Sequence, residues 1–145
     1  MNQKGKVTGL GGVFIKSSDP SKLKSWYAEH LGLPCDEYGH LFSWRYPENP
    51  KKSGYTQFSI FDENTTYLDP AKKEFMINFR VDDLEAMITR MKASGLEVIG
   101  EIESYDYGKF GWVMDPNGNK IELWEPVDEV FTQTNENKDT HEETT

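Results

Sequence analysis

Residues 115–126 read DPNGNKIELWEP, and they pack a turn, a short strand and three carboxylates into twelve positions. Asp115-Pro116-Asn117-Gly118 is a strong turn signal, because each residue type favours a tight reversal for its own backbone reason. In the strand that follows, Glu122 lies between Ile121 and Leu123, and successive strand side chains point to opposite faces. If the two aliphatic residues face a core, Glu122 faces the other way. Whether that carboxylate grips a metal, binds something else or sits at a sheet rim depends on the rest of the chain.

Working back from this stretch, GKFGWVMD (108–115) and LEVIGEIESY (96–105) read as two more strands. They are joined through SYDYGKFG (104–111), a segment suited to a lid over a cavity and equally to an ordinary hairpin connection. A helix precedes them: Asp82 or Asp83 caps it, Leu84, Met87, Ile88 and Met91 form its apolar stripe, and Gly95 ends it. Before the helix, EFMINFRV (74–81) alternates, with Phe75, Ile77, Phe79 and Val81 on one face.

The same order of elements occurs earlier. VTGLGGVFI (7–15) reads as a strand, and Asp19 and Pro20 open a helix carrying Leu23, Trp26, Tyr27, His30 and Leu31, with Gly32 as its stop. LPCDEY and LFSWRY read as two short strands, NPKKSG (49–54) as a polar loop and YTQFSIFD (55–62) as a further strand. The sequence therefore predicts two strand-helix-strand-strand-strand halves, 1–62 and 74–127. The aperiodic ENTTYLDPAKK (63–73) connects them, and an acidic tail (128–145) is expected to be disordered because it lacks apolar content.

Composition narrows the function classes. A chain of 145 residues is the size of one compact domain. Only 36% is hydrophobic, but 13% is aromatic, and aromatic side chains each bury a large area. The net charge of −9 is concentrated in the tail, where six acids face one lysine. This balance argues against nucleic acid or an anionic membrane as partner, since both require a basic surface. No apolar run is long enough to span a bilayer, and MNQKGKVTG lacks the apolar segment of a secretory signal. Cys35 is the only cysteine, which excludes an internal disulfide and fits a reducing, cytoplasmic setting. Its neighbours Asp36 and Glu37 give no reason for a reactive thiolate.

Three stretches carry a family resemblance: FIKSSDPSKLKSWYAEHLGL (14–33), FRVDDLEAMITRMKASG (79–95) and FGWVMDPNGNKIELWEP (110–126). Together they make the chain resemble the vicinal oxygen chelate superfamily, which includes glyoxalase I, bleomycin-resistance proteins, fosfomycin-resistance enzymes and extradiol dioxygenases. The resemblance covers about residues 7–126. It implies an α+β fold of two βαβββ modules that form a cup-shaped open barrel with helices outside. It also implies a homodimer, as the family often completes its pocket across two chains. Strand alternation then sends Phe75, Ile77, Phe79, Ile121 and Leu123 toward the helices. Met76, Asn78, Arg80, Lys120, Glu122 and Trp124 face the cup, joined by Phe110, Trp112 and Met114 and by Gln57 and Ser59.

In metal-dependent relatives, four inner-strand side chains of His, Gln or Glu type hold one divalent ion. The resemblance places those positions here at Leu10 or Gly11, Gln57 or Ser59, Met76, and Glu122. A thioether is a poor ligand for hard or borderline ions, and Leu or Gly offers no side-chain donor. His30, His40 and His141 fall elsewhere. One strong ligand remains, two if Gln57 is in register, where a catalytic site normally keeps three. The expectation is a lost metal site and no cofactor. Glu122 then either pairs with Lys120 or Arg80 or accepts a hydrogen bond from an amine or hydroxyl ligand. Arg80 is expected to neutralise Glu122 rather than clamp an anionic ligand.

Two readings follow. One is a protein that sequesters a small organic molecule in an aromatic-lined cup, with Gln57, Met76, Asn78, Arg80, Trp112, Glu122 and Trp124 as ligand contacts. Trp44 and Tyr46 are candidates for the same lining. The other is a lyase, isomerase or transferase of the same superfamily that uses a divalent metal held by divergent ligands, with Glu122 as ligand or base. A structural role in a larger complex is a third possibility.

Overall fold

A computed structural model describes residues 5–132. The chain runs β1 (Val7–Ser17), α1 (Pro20–Leu31), β2 (His40–Tyr46), β3 (Asn49–Asp62), β4 (Phe75–Val81), α2 (Leu84–Ala93), β5 (Val98–Tyr105), β6 (Gly108–Met114) and β7 (Lys120–Pro126). A short helical turn, α3, follows at 128–132. The seven strands form one mixed, open sheet in the order β2-β3-β1-β4-β7-β6-β5.

The internal repeat is visible in the pairing. β1 pairs in parallel with β3, the last strand of its half, and β4 pairs in parallel with β7, the last strand of the other. The halves meet where β1 and β4 run antiparallel at the centre of the sheet.

The helix boundaries follow the sequence signals. The Asp19 carboxylate accepts a hydrogen bond from the Lys22 backbone N–H at 3.1 Å, Pro20 lies in the first turn, and Gly32 closes α1 at φ 65°. Asp83 caps α2 through the Ala86 N–H, also at 3.1 Å. At residues 115–119 the Asp115 carboxylate accepts from the backbone N–H groups of Asn117 and Asn119 and from the Asn119 side chain, which holds its pKa below the ordinary value.

Other boundaries differ from the sequence reading. LPCDEY is not a strand: Pro34 brings no N–H, Asp36 folds its carboxylate onto the Tyr38 N–H, and only an isolated Asp36–Gly39 bridge remains. The first half therefore has three strands where four were expected. NPKKSG is not a loop but the start of β3, paired with β2 across a turn at 47–48. SYDYGKFG is a hairpin between β5 and β6, with the Tyr105 and Tyr107 rings stacked 5.3 Å apart.

The larger core lies under α2, where Val81, Leu84, Met87, Ile88, Val113 and Leu123 are buried and Phe79 and Ile121 pack against them. Each such side chain contributes roughly 1.5–3 kcal/mol by leaving water. Leu123 and Ile121 thus face the helix as alternation requires. Phe75 does not: it is 43% exposed at the start of its strand. No residue of α1 is buried, so the first half is covered more loosely.

The connector and the tail are both more ordered than their sequences imply. Leu68, at the centre of 63–73, is fully buried against Phe14 and Met76. Asp128 is also buried, so the expected disordered tail begins with a packed segment through 132. The remainder of the tail, 133–145, lies outside the described residues.

Candidate functional site

The inner face of β4 carries Met76, Asn78 and Arg80, and all three are buried. Parallel pairing sets Asn78 beside Glu122 and Arg80 beside Trp124, while β6 sets Trp112 opposite Glu122. The interior of the cup therefore divides into two polar clusters.

The first surrounds Glu122, which is only 2% exposed. One carboxylate oxygen accepts from the Trp112 indole N–H at 3.0 Å and from the Tyr67 hydroxyl. The other accepts from the Asn78 amide at 2.6 Å. Among the described residues Glu122 has no ion-pair partner. Burial pushes its pKa up, and the three neutral donors together with the field of Lys120 offset part of that shift. The Lys120 ammonium donates to the Tyr67 carbonyl at 2.7 Å and lies over the Tyr67 and Trp112 rings, and burial lowers its pKa.

Sequence reasoning missed Tyr67, as it missed Asp128 of the second cluster. Tyr67 comes from the connector, where no periodicity marked it, and the only signal was an apolar pair, Tyr67-Leu68, in an otherwise polar stretch. Leu68 anchors the segment, and Tyr67 closes over Glu122 while remaining 40% exposed itself. Burial and the adjacent carboxylate both push the Tyr67 hydroxyl pKa up, so it is a firm donor.

The second cluster surrounds Arg80, 1% exposed. It does not neutralise Glu122. Its partner is Asp128 of α3, in a two-pronged pair at 2.9 and 2.6 Å, because the chain after β7 turns back across the cup and delivers a carboxylate to that position. Tyr46 bonds to both Asp128 and Arg80, and the guanidinium lies 4.9 and 5.4 Å from the Trp44 and Trp124 ring centroids. Burial alone would lower the Arg80 pKa, and the hydrogen bonds and charge of Asp128 more than reverse it. Trp124 also stacks on Phe110 and donates its indole N–H to the Tyr107 carbonyl.

The remaining candidates separate from these clusters. Met76 belongs to the apolar group with Phe14 and Leu68. Gln57 donates its amide to the Tyr38 and Phe58 carbonyls and the Ser59 hydroxyl. Among the described residues one inner atom is orphaned: the Asn78 carbonyl oxygen is buried without a hydrogen-bond donor, held above Gly11 where a Cβ would come within 2.0 Å of it.

This donor set does not fit the divalent ion used by metal-dependent relatives. Glu122 is the one carboxylate at the expected positions, and its oxygens already have three donors. Met76 stands where a second ligand would be, and the Gln57 amide is engaged elsewhere. Among the described residues no group of three His, Cys, Asp or Glu side chains is placed to hold a metal.

Comparison with solved structures finds the same fold. Methylmalonyl-CoA epimerase from Mycobacterium tuberculosis aligns at 24% identity with a TM-score of 0.56, covering 87% of this chain and 93% of the other. A Streptomyces coelicolor methylmalonyl-CoA epimerase variant in complex with 2-nitronate-propionyl-CoA aligns at 14% identity with a TM-score of 0.63, covering 84% and 99%. A glyoxalase/bleomycin resistance protein/dioxygenase superfamily member from Vibrio splendidus 12B01 aligns at 14% identity with a TM-score of 0.51, covering 80% and 98%. No curated protein matches the sequence. The family model that does match, over residues 9–123, spans both halves of the sheet, and the chain belongs to the Glyoxalase/Bleomycin resistance protein/Dioxygenase superfamily.

Proposed function

We propose that the protein binds a small organic molecule in its aromatic-lined cup without a metal, and that Glu122 accepts a hydrogen bond from an amine or hydroxyl group of that ligand. The observation that carries this reading is a buried carboxylate whose hydrogen-bonding partners are all neutral. Desolvation raises the cost of its charge, and a cationic or strongly donating ligand group would lower it. Trp112 supplies the flat wall beside it, and Tyr67 is the group a ligand must move aside, since it comes from a segment without strand or helix structure. A protein of this fold has been solved in complex with 2-nitronate-propionyl-CoA, so the architecture accommodates organic molecules.

The enzyme alternative requires divergent metal ligands, and the donor set gives it no support. As a lone base, Glu122 would lack the partner that stabilises the developing charge. The protein is further proposed to act as a cytoplasmic homodimer. The lone Cys35 fits a reducing compartment, and no described helix is long and apolar enough to cross a membrane.

Intrinsic tryptophan fluorescence tests the binding reading, because Trp112 touches Glu122 directly. Titration with a panel of aromatic amines and their uncharged isosteres should give saturable quenching that favours the amines and is lost in Glu122→Gln. A panel with no saturable response, or one indifferent to Glu122, would reject it.

A further inference from the structure

We infer that the Arg80 end of the cup is a carboxylate-binding subsite, and that Asp128 is a stand-in ligand supplied by the chain itself. The argument starts from the placement of Arg80. It is 1% exposed on the central strand β4, with the rings of Trp44 and Trp124 beside its guanidinium. A planar guanidinium between aromatic walls, with both terminal nitrogens directed at one carboxylate, is the geometry that recognises a flat organic acid.

The carboxylate now bound does not come from the sheet. Asp128 lies in α3, two residues after β7 and outside the 9–123 stretch that the family model matches. The segment is held by side chains at its two ends and one backbone bond: Asp128 on Arg80 and Tyr46, Phe131 against Tyr55, Tyr107 and Trp124, Thr132 on the Tyr55 hydroxyl, and the Val127 N–H on the Tyr107 carbonyl. Beside it an open groove of about 380 Å³ is lined by Lys51, Lys52, Ser53, Asp128, Glu129 and Thr132. Once Asp128 is displaced, Lys51 and Lys52 outweigh Glu129 in this lining, which favours the approach of an anion.

An organic carboxylate entering by this groove would replace Asp128 on Arg80 and release 127–132 from the cup. The inference deepens the binding reading above by naming the ligand's second recognised group. Arg80 and Asn78 are two residues apart on one strand face, so the acid and the donor group of a single ligand would be separated by roughly 7 Å.

Benzoate is a suitable probe, because it carries no group for Glu122 and reports on the Arg80 end alone. Its failure would therefore leave the Glu122 reading intact. In the full-length protein, benzoate titrated against tryptophan fluorescence should bind Asp128→Asn at least ~10-fold more tightly than the wild type, because the internal competitor is gone. Benzyl alcohol should not show this gain, and adding Arg80→Gln to Asp128→Asn should abolish it. In the wild type, excess benzoate should accelerate amide hydrogen exchange across 127–132. If Asp128→Asn does not fold, the wild-type exchange measurement decides alone. Equal benzoate affinity in wild type and folded Asp128→Asn, an equal gain for benzyl alcohol, or unchanged exchange at 127–132 would each overturn the inference.

Discussion

Glu122 and Leu123 are adjacent in sequence and opposite in consequence. Leu123 is 2% exposed in the apolar group beneath α2, so Leu123→Ala should cost about 2–5 kcal/mol in denaturant unfolding. Glu122→Gln should leave the fold intact and act mainly through charge. Its sign with pH can be worked out. The pKa of Glu122 is raised by burial, so between the ordinary carboxylate value and its own higher value the folded state holds more protons than the unfolded state. Stability therefore falls as pH rises through that window. The melting temperature of the wild type should decline relative to Glu122→Gln as pH rises above the ordinary carboxylate value, and two parallel melting-temperature curves would contradict this assignment. The direction of the Glu122 side chain was legible from strand alternation. Its partners were not, because Tyr67 is 55 residues away in a segment with no pattern.

At the scale of elements, the helix caps were readable because capping is local: Asp19 and Asp83 bond to backbone N–H groups three residues on. Asp83→Ala should lower stability by about 1 kcal/mol in denaturant unfolding. The connector shows the opposite case. Residues 63–73 read as a polar tether, yet Leu68 is fully buried and Ala71 nearly so. Leu68→Ala should cost about 2–5 kcal/mol and speed hydrogen exchange through 63–73, as expected of a packed element rather than a free loop. The strand that failed to form at LPCDEY fits the same logic. Pro34 and the Asp36 turn are local obstacles that the repeat pattern alone could not reveal, and the result is a first half with one strand fewer than the second.

For the whole molecule, the sheet order brings the buried Arg80 and Glu122 into one cup and satisfies them differently, Arg80 with a carboxylate and Glu122 with neutral donors. Losing one partner of a buried pair leaves the other charge uncompensated, so Arg80→Met should cost about 3–5 kcal/mol, whereas Arg80→Met with Asp128→Leu should recover much of that loss. Thermal unfolding of the wild type, the single variant and the double variant checks this, and a double variant no better than the single one would mean that the pair is not coupled as drawn. The proposed homodimer would give twice the chain mass in sedimentation at micromolar concentration, and a single species at monomer mass would remove it.

The sequence by itself determined the strongly periodic features: both long helices, the strands β1, β4, β5, β6 and β7, the family, and the inner or outer side of β4 and β7. These follow from side-chain spacing and short-range backbone chemistry. Only the tertiary structure decided who meets whom inside the cup. Tyr67 reaches Glu122 and Asp128 reaches Arg80 because buried polar groups must be satisfied, and the satisfying residues come from the connector and the segment after the last strand, where no periodicity constrains the chain.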